Sequence, residues 1–310
     1  MRQILPRLLL RKAVLKMKIS DSFKGKFETY IGIVNDALDE FVAQRDNPQK
    51  IVYESMRYSL LAGGKRIRPV LCLAIADCFG TDKNKVLPFA CSIEMIHTYS
   101  LIHDDLPAMD DDDYRRGRPS SHKKFGEATA ILAGDALLTY AFEVATQGAL
   151  ISDNKLKGIC AVKLIAQAAG TEGMIGGQIV DTVSVTPNPT VDDVRYMCDR
   201  KTGALLKVPA EVAVVLSDIS DAAISDLMID YAKTIGLAFQ VKDDILDEET
   251  DTAPNTFIAV LGREKSEKLL SELTDKALGI CDVLNTFNSI DQESVDFLRD
   301  LAIFLLERQI

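Results

Sequence analysis

Two acidic clusters, each joined to an apolar helical segment, constrain this chain more than any other feature. The first follows the apolar stretch holding Glu94, His97 and Tyr99: six aspartates, Asp104, Asp105 and Asp110–Asp113, fall within ten residues, with Tyr114, Arg115, Arg116 and Gly117 directly after them. Like charges this close repel one another and need cations to hold them. The spacing of Asp104, Asp105 and Asp110 suits a hard divalent ion bound through oxygen, and the adjoining arginines suit phosphate. An α-helix turns about 100° per residue, so His97, Ser100 and Asp104 share one stripe, with Asp105 beside it. Asp110 would point elsewhere on an unbroken helix; Pro107 interrupts the helix and lets 106–109 loop it back. The plainer alternative is a solvated acidic loop.

The second cluster lies far away, in the run from Gln240 to Asp247. Gly236, Gln240, Asp243 and Asp247 are spaced i, i+4, i+7, i+11 along one helical stripe, with Asp244 flanking it. One such cluster is an ordinary acidic helix face; two on apolar helices read as facing halves of one metal site. Carboxylates bind metal but not a substrate anion. Cations come from Lys65 and Arg68, just before a helix N-terminus whose free N–H groups favour an anion, from Arg115 and Arg116, and from Lys201 beside Thr202 and Gly203. Each of these is individually compatible with a solvated surface cation. Jointly they predict two anion pockets, one holding metal and one using protein cations alone.

The rest of the chain is read as helix, with almost no strand signal. Asn47-Pro48 opens a helix that Gly63-Gly64 ends; Pro69 opens another running to Phe79; Thr81 caps a segment that runs to Asp105. Further helices are expected over 126–148, 155–173, 191–217, 220–248, 263–284 and 292–308, with Thr190 and Asp193 forming a capping box. No repeat or linker divides residues 19–310, so one all-α domain is expected, a single large helical bundle around a central cavity. Residues 1–18 stand apart. They carry Arg2, Arg7, Arg11, Lys12, Lys16 and Lys18 and no acid, either a targeting or membrane-surface segment or an upstream extension with Met17 as a natural start. The net charge of −10 argues against nucleic acid. The six cysteines have no zinc-like spacing and are read as core residues of a reduced, cytoplasmic protein. No uncharged apolar run long enough for a membrane span is found.

With these motifs in place, the chain resembles the short-chain trans-polyprenyl diphosphate synthases, closest to the bacterial farnesyl type. The resemblance rests on Gly63-Gly-Lys-Arg-Ile-Arg-Pro69, His97 through Asp110, Arg115-Arg-Gly117, Gly134-Asp135, Gly176-Gly-Gln178, Lys201-Thr-Gly203 and Gly236 through Asp247, in the family order. It covers nearly everything after the basic N-terminus. It implies that Asp104, Asp105, Asp110, Asp243, Asp244 and Asp247 hold Mg²⁺ ions bridging an allylic diphosphate. Arg115, Lys201, Thr202 and Gln240 would lie around that substrate, while Lys65, Arg68, His97 and Arg116 would bind isopentenyl diphosphate. Asp104, Asp105, Asp243 and Lys201 would be the catalytic set, and a homodimer the expected assembly.

The resemblance also assigns product length to Tyr99, five residues before Asp104, and to Ser100. The helical wheel alone sets Tyr99 about 140° from Asp104, so this role rests on the resemblance. A geranylgeranyl product, a terpene cyclase and a non-catalytic regulatory subunit are the alternatives. A cyclase needs no second diphosphate pocket, and a regulatory subunit needs no intact acidic motifs. One departure stands out: where the family has a Gly- and Lys-rich loop that closes over the diphosphates, Asp251-Thr-Ala-Pro-Asn-Thr-Phe257 passes almost directly into the next helix. Either the lid is deleted, or residues of the natural protein have been closed up in this sequence. The second reading is preferred, and unbroken coding sequence from Asp251 to Phe257 would overturn it.

Overall fold

The computed structural model describes residues 19–184, 186–248 and 253–307. The basic 1–18 extension, and Asp251 in the shortened connection, lie outside the described residues. The described chain is helical almost throughout, as the acidic clusters and helix punctuation predict. Helix α1 spans Asp21–Phe41, α2 Lys50–Leu60, α3 Ile67–Cys78 and α4 Lys83–Asp104. A short hairpin pairs β1 (Tyr114–Arg115) with β2 (Arg118–Pro119), followed by α5 (Ser121–Phe125), α6 (Glu127–Ile151), α7 (Lys155–Ala169) and α8 (Met174–Thr182). Then come α9 (Val191–Cys198), a π-helical turn (Asp199–Gly203), α10 (Ala204–Leu216), α11 (Ala222–Leu246), α12 (Phe257–Leu261), α13 (Arg263–Leu284) and α14 (Gln292–Glu307).

Local chemistry explains the boundaries. The Thr190 hydroxyl accepts from the Asp193 N–H while the Asp193 carboxylate accepts from the Thr190 N–H, the expected capping box. Asp82, not Thr81, caps α4, its side chain accepting from the Asn84 N–H. The helix expected over 191–217 divides at the π turn, which sets Lys201 and Thr202 on a wider coil than an α-helix allows; such turns concentrate at functional sites. The hairpin has only two residues per strand, too short for a periodicity signal, and its work is to project Arg115 and Arg116.

Most of the buried apolar side chains form one cluster spanning α1 to α4, α6 to α8, α10, α11, α13 and α14. A smaller one, built from Val194, Met197, Cys198, Val241, Ile245 and Phe257, lies beneath the second acidic motif. Helix α4 packs most extensively against α6, and α11 against α13. Helix α6 is by length and composition apolar enough to cross a membrane, although Asp135 and Glu143 interrupt it, so it contains no uncharged run of that length. Here one side of α6 packs into the bundle against α4 and α7, burying Ala130, Ala133, Leu137, Ala141 and Val144.

One buried ion pair ties the pieces of the site together. Arg66 and Glu94 are each 2% exposed, and Arg66 Nη1 donates to Glu94 Oε1 at 2.8 Å. The same guanidinium donates to Asn35 Oδ1 at 3.0 Å and to the Leu60 carbonyl at 2.6 Å. It thereby anchors the connection between α2 and α3 to α1 and α4, even though Arg66 itself sits in the left-handed region at φ 50°. Removing one partner of such a pair strands a buried charge. Glu94→Ala is therefore expected to cost about 3–5 kcal/mol, read as a lowered urea midpoint at unchanged slope. A loss below about 1 kcal/mol would show that Arg66 does not depend on it.

Candidate active site

A cavity of about 660 Å³ opens between α4, α6, α8 and the π turn. Arg68, His97, Asp104, Lys201 and Thr202 line its polar part, and Tyr99, Leu138, Met174, Ile175 and Leu205 its apolar part. The π turn approaches α8 closely enough that a Cβ on Gly177 would come within 2.6 Å of Lys201 Cα. This close approach gives Gly177 its physical reason, while at Gly176 a Cβ would meet the Thr171 carbonyl oxygen. Tyr99 lines the same cavity as Ser100 and Asp104 despite their angular separation, because the cavity wraps around the C-terminal half of α4. The Ser100 hydroxyl is turned back onto its own helix, donating to the His97 carbonyl at 2.9 Å.

The six aspartates expected to hold metal are not equivalent. Helix α4 stops at Asp104, and the Asp110 N–H donates to the Asp104 carbonyl at 2.8 Å, so the Pro107 break folds Asp110 back as expected. Asp105 goes the other way. It is 2% exposed, and its Oδ1 accepts from Arg115 Nε at 2.8 Å and Nη2 at 2.5 Å. Arg115 Nη2 also donates to Asp112 Oδ2 at 2.7 Å. Asp105 and Arg115 thus line a small separate pocket with Arg116, while Asp104 faces the main cavity.

The second motif repeats this division. Asp244 is buried: its Oδ1 accepts from Gln240 Nε2 at 2.8 Å, and its Oδ2 from the Phe257 N–H at 2.6 Å, at the start of α12. Gln240 Oε1 accepts in turn from the Thr202 hydroxyl at 2.9 Å, linking α11 to the π turn. Asp243 is half-buried and Asp247 exposed, the Asp247 N–H closing the last turn of α11 on the Asp243 carbonyl at 2.9 Å. In both motifs the second aspartate is turned into the fold. Among the described residues no three carboxylates or imidazoles form a ready-made ion cage.

The cations divide as well. Arg68 lines the cavity, and its Nε is buried with no hydrogen-bond partner, an orphan donor aimed where an anion would bind. Burial lowers its pKa, though a guanidinium remains charged. Arg116 donates to the Gly63 carbonyl, and Lys65 is exposed outside the residues lining the cavity. Burial, then the surrounding Arg68, Arg116, Arg66 and Arg115, push the His97 pKa well down, so its imidazole is neutral near pH 7. Burial opposes the charge on Lys201, but Asp181, Asp104 and Asp110 outweigh it and raise its pKa. Burial lifts the Asp104 carboxyl to about 6, with Asp110 adding to the rise and Lys201 opposing it.

Sequence reasoning named Gln178 only as part of a motif, with no role, and missed Asp181. Gln178 Nε2 donates to Asp104 Oδ1 at 3.1 Å. Asp181 pairs with Lys201 and also accepts from Asn255, so it joins α8, the π turn and the shortened connection. Gln178, Asp181 and the α8 surface share one helical side at i, i+3, which could have flagged them.

Asp110, Asp243, Asp244 and Asp247 are not among the residues lining the cavity; the second motif reaches it through Gln240 and Thr202. An all-α bundle with two such acidic motifs is a narrow class, and comparison identifies it. The polyprenyl synthetase family pattern matches residues 49–256. A farnesyl diphosphate synthase of Micrococcus luteus is 39% identical over 292 residues, covering 90% of this chain and 96% of that protein. A heterodimeric geranylgeranyl pyrophosphate synthase large subunit of Arabidopsis thaliana is 42% identical over 313 residues, covering 94% and 80%. The solved structure of an FPP/GFPP synthase from Zymomonas mobilis superposes with a TM-score of 0.83 at 34% identity, covering 92% of this chain and 99% of that one. The chain belongs to the polyprenyl synthetase family and is a short-chain trans-prenyltransferase.

The raised Asp104 pKa has a testable sign. A carboxyl whose folded pKa lies above its unfolded value stabilises the fold below the unfolded value, and that contribution is lost as pH rises through about 6. In metal-free protein, Asp104→Asn should therefore stabilise more at pH 7.5 than at pH 4.5, by up to about 3 kcal/mol. Differential scanning calorimetry at both pH values measures it. Equal effects at the two would mean that Asp104 is not strained by burial.

Proposed function

We propose that this prenyltransferase condenses isopentenyl diphosphate with dimethylallyl and then geranyl diphosphate to give farnesyl diphosphate. The observation that carries this reading is a single cavity with acids and cations at one end, apolar walls and a buried tyrosine at 5% exposure. Prenyl diphosphate synthases are generally Mg²⁺-dependent, and Asp104, Asp110 and Asp243 are the groups proposed to hold the ions here. Burial, with Asp110 adding to it, disfavours the Asp104 charge, and a bound divalent cation would favour that charge. When bound, the metal supplies charge neutralisation for the departing diphosphate.

The remaining roles fall to the chain itself. Lys201, held by Asp181, and Thr202, held by Gln240, are proposed to grip the allylic diphosphate. Asp105, which holds Arg115, and Asp244, which holds Gln240 and through it Thr202, are proposed to position those side chains rather than ligate metal. Arg68 and neutral His97 are proposed to take isopentenyl diphosphate, with Lys65 and Arg116 at its rim. The allylic C–O bond breaks, the pair of electrons leaving with diphosphate. The homoallylic double bond attacks the resulting cation to form the new C–C bond, and the proton lost from the adjacent carbon goes to the departing diphosphate. The apolar walls protect the cation from water. Tyr99, with Ser100 beside it, is proposed to end the pocket and favour a fifteen-carbon product over the twenty-carbon one.

A homodimer is the proposed assembly, supported by exposed Leu132, Leu150, Leu156 and Ile159 on α6 and α7.

The purified protein with Mg²⁺, isopentenyl and dimethylallyl diphosphates should release mainly farnesyl diphosphate; no consumption of isopentenyl diphosphate would refute the reading. Asp104→Ala and Asp243→Ala should each lower kcat by more than about 100-fold, and near-normal rates would remove those residues from the metal site.

A further inference from the structure

The proposed diphosphate chemistry gives no role to the Gly134-Asp135 pair or to His103, yet they meet in the cavity wall beside Tyr99. His103, on α4 one residue before Asp104, lines the cavity with Tyr99 and Asp135. Its Nε2 donates to the Ile131 carbonyl of α6 at 3.1 Å and lies 3.9 Å from Asp135 Oδ1. The carbonyl can only accept, so this contact fixes the tautomer with the proton on Nε2. The imidazole occupies a notch that exists because residue 134 has no side chain: a Cβ there would come within 2.9 Å of His103 Cε1 and closer still to Nε2. On its other side the imidazole meets Tyr99, one helical turn away, edge to face, with ring centroids 5.7 Å apart and planes at 83°. Tyr99 is 5% exposed, and its ring has few alternatives while that support is present.

We propose that His103, seated in the Gly134 notch and held by α6, is a positioning residue that braces Tyr99 and so sets product length. The inference rests on the reading of Tyr99 as the end of the product pocket. It gives Gly134 a physical reason and makes specificity a property of the α4–α6 contact rather than of one side chain. With the brace removed, Tyr99 turns into the vacated volume and the pocket lengthens.

The test is product-length analysis of the full-length enzyme with Mg²⁺, isopentenyl diphosphate and dimethylallyl diphosphate. His103→Ala should shift the main product from fifteen to twenty or more carbons. His103→Phe retains a ring against Tyr99 and should keep the fifteen-carbon product. Tyr99→Ala should lengthen the product, with no further lengthening in Tyr99→Ala/His103→Ala. If Tyr99→Ala leaves product length unchanged, the pocket-end reading fails and the brace with it. If Tyr99→Ala lengthens the product but His103→Ala does not, or if His103→Phe behaves like His103→Ala, the brace alone is overturned. The notch has its own readout independent of turnover. Gly134→Ala should lower the melting temperature in wild type, and by less than half as much in the His103→Ala background; equal losses would overturn the notch.

Discussion

The arrangement of this site depends on one ion pair, Arg115 with Asp105. Two adjacent carboxylates at the end of a helix repel, and a cation that binds one of them decides which way each points. Arg115 engages Asp105 through Nε and Nη2, and Nη2 also donates to Asp112, so the guanidinium opposes the rise in pKa that burial imposes on Asp105. Asp104 is left facing the cavity, within reach of Gln178 and of the Lys201 charge. A guanidinium suits this work better than an ammonium because its planar fork holds a carboxylate in one orientation.

The second motif reaches the same outcome with neutral donors. Asp244 takes an amide from Gln240 and a backbone N–H from Phe257, so its orientation is fixed by α11 and by the first turn of α12. The short connection before α12 is thus tied to the site through two residues: Asn255 to Asp181, and Phe257 to Asp244. Phe257 is fully buried in the small cluster beneath the motif, which makes this attachment costly to release. The Arabidopsis alignment is longer than the stretch of this chain that it covers, so that relative has residues this chain lacks.

Much of this was legible from residue spacing. The helix-only pattern, the break at Pro107, the capping box at Thr190 and the shared stripe of His97 and Asp104 follow from periodicity and punctuation, whereas the substrate roles given to Arg68, His97 and Lys201 rest on the family resemblance. What spacing could not supply is the third dimension of each charge. Adjacent aspartates look alike in a sequence, and only their partners, Arg115 from a hairpin and Phe257 from a later helix, distinguish a cavity-facing acid from a buried one. Tyr99 was misplaced by the wheel because a wheel assumes a flat boundary, whereas the cavity curves around α4. Arg66 and Glu94 were visible as charges, but nothing local announces that two ions 28 residues apart share a dry interior.

The central claim is the unequal division of the acids, and a crystal structure with Mg²⁺ and a thio-substituted allylic diphosphate tests it most directly. The account predicts metal density on the Asp104 and Asp110 carboxylates, with Asp105 still held by Arg115 and Asp244 still held by Gln240 and Phe257. Metal ligated by Asp105 or Asp244, with those partners released, would contradict it.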